Sequence, residues 1–131
     1  MSPIPIIVCG RSPAVAAKVA RELAPEYDVV KIVLTPEDGV ASIPALLSGP
    51  NAPRCVAVGG AFDSAAIEAM RSAASAAAEV PWLRIDVARM GEMPSLADTE
   101  AFGEALAVRI REGLVERKVG KEGQQIGVFL I

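Results

Sequence analysis

The stretch Ile4-Pro-Ile-Ile-Val-Cys-Gly-Arg-Ser-Pro-Ala-Val-Ala-Ala-Lys-Val-Ala-Arg-Glu-Leu-Ala24 decides how the rest of the chain is read. Its first six residues, Ile4 to Cys9, form an apolar run of the kind found in a strand covered on both faces. Gly10 ends that run. Ser12 stands where a helix N-cap is needed, and Pro13 stands at the first helical position, which has no use for its missing N–H. Val15, Val19 and Leu23 then recur every four residues among alanines, with Lys18, Arg21 and Glu22 elsewhere. That spacing predicts an amphipathic helix closing near Pro25. A strand, a tight turn and a helix in this order make the opening unit of a parallel α/β sheet.

The remaining chain repeats the alternation. Asp28 to Leu34 reads as a second strand, Thr35 to Gly39 as a turn, and Val40 to Leu47 as a short helix limited by Pro44 and followed by the breaker cluster Ser48 to Pro53. Cys55 to Val58 is a third strand ending at Gly59-Gly60. Asp63 offers a cap for a helix through Glu79 with Ile67, Met70, Ala74 and Ala77 as its buried stripe. Pro81 to Val87 is a fourth strand. In the loop Ala88 to Pro94, Met90 and Met93 read as a flexible packing edge. Ser95 or Asp98 opens a last helix, striped by Phe102, Leu106, Ile110 and Leu114, through about Lys118. Gly120 to Gln125 is a polar hinge, and Ile126 to Ile131 is either a fifth strand or an exposed apolar tail. This pattern predicts one three-layer α/β/α domain over residues 1–131, with a mainly parallel sheet of four or five strands and right-handed crossovers. Both doubly wound strand orders satisfy it.

Composition narrows the function classes. The chain of 131 residues is 52% apolar but only 4% aromatic, so alanine-rich close packing fills the core. With a net charge of −3 and no cluster of Lys and Arg free of acids, no nucleic-acid footprint is expected. No apolar run is long enough to span a bilayer, and the N-terminus lacks a basic leader, which points to a cytoplasmic protein with no membrane partner. Cys9 and Cys55 fit reduced core thiols. Histidine is absent, which removes Ser-His-Asp and Cys-His catalysis and the usual zinc sites.

Ligands of open parallel sheets bind beyond the carboxyl ends of the strands. Here that edge gathers Gly10, Arg11, Ser12, Pro13, Thr35, Gly59 and Gly60, with Asp86 and Arg89 nearby. A helix N-terminus attracts anions and an arginine adds bidentate geometry, so a phosphate-bearing small molecule or nucleotide is the expected ligand. No acid–base constellation is visible, and no metal ligands are grouped. The apolar segment Ile126 to Ile131 predicts a homodimer through this tail or the alanine-rich helix faces, unless it pairs as an internal strand.

By this pattern the chain resembles Rossmann-like, NAD(P)-binding-fold proteins. It resembles more closely a group of small single-domain members with a degenerate glycine loop, in which the first strand runs into Gly-Arg-Ser-Pro and an alanine-rich helix. The resemblance covers mainly the first thirty-odd residues and implies a nucleotide, with NAD or NADP as cofactor. Of the G-x-G-x-x-G fingerprint only Gly10 is present. Ser12 and Val15 fill the other glycine slots, and Thr35 stands where a ribose-binding acid is expected. An alternative is a noncatalytic homo-oligomeric protein that has lost dinucleotide binding. Val8 to Pro13 also resembles the phosphate loop of low-molecular-weight tyrosine phosphatases, but Gly10 alone separates Cys9 from Arg11 where that family has five residues. A response-regulator resemblance lacks the acids that end strands one and three.

Overall fold

The computed structural model describes residues 2–95 and 97–131, without the side chains of residues 87, 90 and 92. Five strands and four α-helices alternate: β1 (Ile4–Cys9), α1 (Pro13–Leu23), β2 (Tyr27–Val33), α2 (Pro36–Leu47), β3 (Val56–Val58), α3 (Ser64–Ser75), β4 (Pro81–Arg84), α4 (Thr99–Glu116) and β5 (Gly127–Leu130). All four strand pairs are parallel, in the order β2-β1-β3-β4-β5. This is the flavodoxin-like version of the doubly wound, Rossmann-like three-layer fold, in which the winding reverses between β1 and β3.

Caps fix three of the helices where the sequence reading placed them. Ser12, Asp63 and Asp98 each accept a hydrogen bond from the N–H three residues on, at Val15, Ala66 and Ala101. The same device corrects the reading of α2. Thr35 accepts from the Asp38 N–H at 3.1 Å, Pro36 is the first helical residue, and the supposed turn is the helix's first turn. The helix runs through Pro44, because Gly39, Ile43 and Leu47 form a buried stripe. Two boundaries contract: α3 ends at Ser75 rather than Glu79, and β4 ends at Arg84, followed by a 3-10 turn over Val87–Glu92 in place of a plain loop. Met93 packs against the core, and the side chain of Met90 lies outside the described residues.

The core is two clusters, one on each face of the sheet. α1 and α4 cover one face, with Ile6, Val8, Ala57, Leu83 and Ile85 beneath them. α2 and α3 cover the other, over Ile7, Cys9, Val33, Val56, Val58 and Trp82. This arrangement makes one connection unlike the rest. From β1 to β2 the chain steps toward one edge with α1 on one face. From β2 to β3 and from β3 to β4 it steps the other way with α2 and α3 on the opposite face, which preserves the hand. From β4 to β5 it continues in that direction, yet α4 lies on the α1 face. The last crossover therefore has the opposite hand to the other three, against the expectation of uniform right-handed connections. The physical reason is coverage: α1 alone cannot shield the apolar residues of β1, β3 and β4 on its face, and the central strands of a parallel sheet are buried on both faces.

Of Ile126 to Ile131, residues Gly127–Leu130 form an internal fifth strand with one edge left outermost in the sheet. β5 pairs with β4, and Ile131 is buried under α4. Gly113 is what lets α4 settle there, since a Cβ would meet Ile131 Cγ2 at 2.9 Å and Leu83 Cδ1 at 3.1 Å. Lys18 and Arg21 of α1 meet Glu100 of α4 at 3.1 and 3.7 Å. Gly113→Val is expected to cost about 1–3 kcal/mol by overpacking and to lower the thermal midpoint by several degrees in calorimetry.

Candidate functional site

β1 and β3 lie side by side and end together, and the chain leaves them in opposite directions, to α1 on one face and α3 on the other. Such divergence opens a crevice at the carboxyl edge. A cleft of about 410 Å³ begins there and runs down between α1 and α4 onto the sheet. Its mouth is formed by Gly10, Arg11, Ser12, Gly59, Gly60 and Ala61. Its interior is apolar: Val15 and Val19 from α1, Val8, Ala57 and Ile85 from the sheet, and Phe102, Leu106 and Ile110 from α4.

Five of the seven residues singled out in the sequence meet at this mouth, namely Gly10, Arg11, Ser12, Gly59 and Gly60. Pro13 and Thr35 do not line it. Pro13 is the exposed first residue of α1, and Thr35 spends its hydroxyl capping α2. The two glycines that end β1 and β3 have different reasons to be there. Gly59 donates its N–H to the Cys9 carbonyl at 2.8 Å, and a Cβ on Gly59 would stand 3.3 Å from that oxygen. Around Gly10 a Cβ meets nothing within 4 Å, so the absent side chain there keeps the mouth open.

Charge at the mouth comes from Arg11, whose guanidinium carbon lies 5.7 Å from the centre of the Phe62 ring across the gap. A cation over a ring face is held by the ring's quadrupole, and Phe62 itself is buried in the cluster under α2 and α3. The helix end contributes less than an uncapped one would: Pro13 has no N–H, and the Val15 N–H is bonded to Ser12 Oγ at 3.3 Å. The Gly10 N–H is also taken, by the Val33 carbonyl at 2.9 Å. Among the residues that line the mouth, Arg11 is the one that carries a charge.

Cys9 borders the cleft at the end of β1, but its side chain belongs to the cluster under α2 and α3. Burial pushes its thiol up to about 12, with the Asp38 carboxylate acting in the same direction. A thiol so placed stays protonated at neutral pH and does not attack a bound phosphate. Burial also raises Cys55, which packs in the opposite cluster. The residues do not fit a dinucleotide either. Thr35 fills the slot of the ribose acid, of the acids just past it Glu37 is exposed and Asp38 pairs with Lys31 at 3.3 Å, and the cleft interior is lined by hydrocarbon.

Phe102, Leu106 and Ile110 read in the sequence as a core stripe, as do Val15 and Val19, and the structure buries all five in the cluster under α1 and α4; that they also border the cleft is what the sequence does not show. An apolar helical period carries no mark that distinguishes a filled core from a lined cleft.

Fold and site together define a doubly wound α/β protein with an amphiphilic cleft at its switch point. Comparison with known proteins adds a relative: the chain is 31% identical over 124 residues to Kojic acid related protein 6 of Aspergillus oryzae (strain ATCC 42149 / RIB 40), an alignment covering 86% of this chain and 77% of that protein. The chain belongs to that protein's family. No family model and no solved structure matches the chain. Among the described residues, no helix is long and apolar enough to cross a membrane.

The raised thiols generate a pH dependence of definite sign. Because the folded Cys9 remains protonated while the unfolded thiol ionises from its ordinary value of 9.0 upward, stability present below pH 9 is lost as pH rises toward 12. Above pH 9 the native protein should lose about 1.4 kcal/mol per pH unit for each such thiol. Thermal melts of Cys9→Ala and the parent, run from pH 8 to about pH 10.5, check this: the parent's midpoint should fall more steeply.

Proposed function

We propose that this protein binds a small amphiphilic anion at the switch point, with the apolar body between α1 and α4 and a single phosphate or carboxylate group at Arg11. The observation that carries this reading is the cleft itself: a hydrocarbon-lined interior whose open mouth presents Arg11 beside Gly10. Its volume of about 410 Å³ falls in the range of small-molecule sites. Magnitudes assign the parts. Each 100 Å² of ligand apolar surface removed from water contributes about 2.5 kcal/mol, whereas an ion pair at an exposed arginine contributes about 0–1 kcal/mol. The body supplies the affinity and the head sets the orientation.

The lack of histidine and the burial of Cys9 on the other face support binding without acid–base or thiolate catalysis. Two free, buried cysteines support a reducing, cytoplasmic setting. The Aspergillus relative carries kojic acid in its name, which puts kojic acid among the compounds to test. A nucleotide such as FMN, which combines an aromatic body with one phosphate, fits this description better than NAD or NADP.

The test is thermal melting with decanoate, naphthyl phosphate, FMN, NAD, NADP, kojic acid and inorganic phosphate. A ligand at a hundred times its Kd should add about 2.7 kcal/mol of stability, a rise of several degrees. Amphiphilic anions should give that rise and inorganic phosphate alone should not. Arg11→Ala should weaken the response, and Gly10→Leu should abolish it while melting like the parent without ligand. Stabilisation by inorganic phosphate or NAD alone, or by none of these compounds, would overturn the reading.

A further inference from the structure

The reversed hand of the last crossover leaves a vacancy on the other side of the sheet. In a connection of the same hand as the first three, the helix between β4 and β5 would lie beside α3 and cover β5 there. Because α4 is on the α1 face, that side of β5 has no helix above it. The register shows which residues this exposes. Val128 pairs with Trp82 and Leu130 with Arg84, both on the α3 face, whereas Phe129 and Ile131 turn toward α4. Ile126, Val128 and Leu130 consequently stand 49%, 39% and 61% exposed in one row.

β5 is also the edge of the sheet, and the two edges are treated differently. The β2 edge carries Asp28 and Lys31 and a register shift opposite Ile6 and Ile7, with Lys31 tied to Asp38 at 3.3 Å. Charges and bulges of this kind keep an edge from pairing with another strand. From Ile126 to Ile131 there is neither a charge nor a proline. The backbone of this edge alternates. Ile131 donates its N–H to the Arg84 carbonyl at 2.9 Å, so the odd-numbered residues face β4 and the N–H and C=O groups of Val128 and Leu130 point outward.

We infer that β5 is the joint of a symmetric homodimer, in which it pairs antiparallel with β5 of a second copy about a two-fold axis at Val128. This register places Val128 opposite Val128 of the second copy and Ile126 opposite Leu130 of the second copy, so the whole exposed row is covered by itself. It also brings the outward backbone groups of the two strands face to face, as an isologous contact requires. The two sheets become one of ten strands, with the unguarded edges gone and the charged β2 edges outside. A second copy is the occupant that matches both the apolar row and the free ladder, because each is self-complementary. The joint is small for a stable interface, which places dimerisation at micromolar concentrations or above. It lies away from the cleft, so it stands or falls apart from the ligand proposal.

Light scattering of the full chain at about 100 µM should give twice the 13.6 kDa chain mass. The double variant Val128→Lys/Leu130→Lys, at exposed positions, should halve it while keeping the parent's circular dichroism. Val128→Cys provides an independent reading, since Cys9 and Cys55 are buried and the new thiol would sit at the axis: mild oxidation should give a covalent dimer that reductant reverses. A parent chain that is monomeric at this concentration, a double variant that keeps the dimer mass, or a Val128→Cys protein that stays monomeric on oxidation would overturn the inference. Should the double variant lose its fold, the parent mass and the crosslink decide.

Discussion

The structure depends on covering one face of a parallel sheet. Ile6, Val8, Ala57, Leu83 and Ile85 form an apolar surface three strands wide, and α1, which returns the chain from β1 to β2, lies at one side of it. α2 and α3 are committed to the opposite face by the residues they bury there. Only α4 is left to complete the layer, so the last connection crosses to the α1 side at the expense of the usual hand. Each Å² of apolar surface that α4 keeps from water contributes about 25 cal/mol.

Two properties follow from this one placement. α1 and α4 converge where Lys18 and Arg21 meet Glu100 but straddle a gap over the ends of β1 and β3, and that gap is the amphiphilic cleft. On the other face, the position a helix would take beside α3 is vacant, which bares the apolar row of β5. The cleft and the proposed joint thus have a common structural origin and separate locations. Arg11 stands at the mouth of the first, its guanidinium carbon 5.7 Å from the centre of the Phe62 ring.

Much of the architecture was legible because it is written in local chemistry. Ser12-Pro13, Asp63 and Asp98 announce helix starts through a side-chain acceptor and a tolerated proline, and each is a cap in the structure. Thr35-Pro36 carries the same announcement, but Thr35 to Gly39 also reads as a turn, and Pro44 limits the helix expected after it. The buried Gly39, Ile43 and Leu47 stripe outweighs both signals. Strand order and the hand of the last crossover are not local properties, since they depend on which face lacks cover. For the site, sequence gave the glycines and Arg11 at the mouth through the strand-end rule, but placed Pro13 and Thr35 there too, although both serve their own helices. The cleft interior was invisible, because Phe102, Leu106 and Ile110 have the same spacing whether they meet side chains or a ligand.

The most direct measurement is methyl NMR of the full chain titrated with decanoate, with Val, Leu and Ile methyl groups labelled. The account predicts saturable shifts confined to Val8, Val15, Val19, Ile85, Leu106 and Ile110, with Ile43, Leu47 and Ile67 under the opposite helices unchanged. No saturable shift, or shifts centred on the α2 and α3 layer, would contradict it.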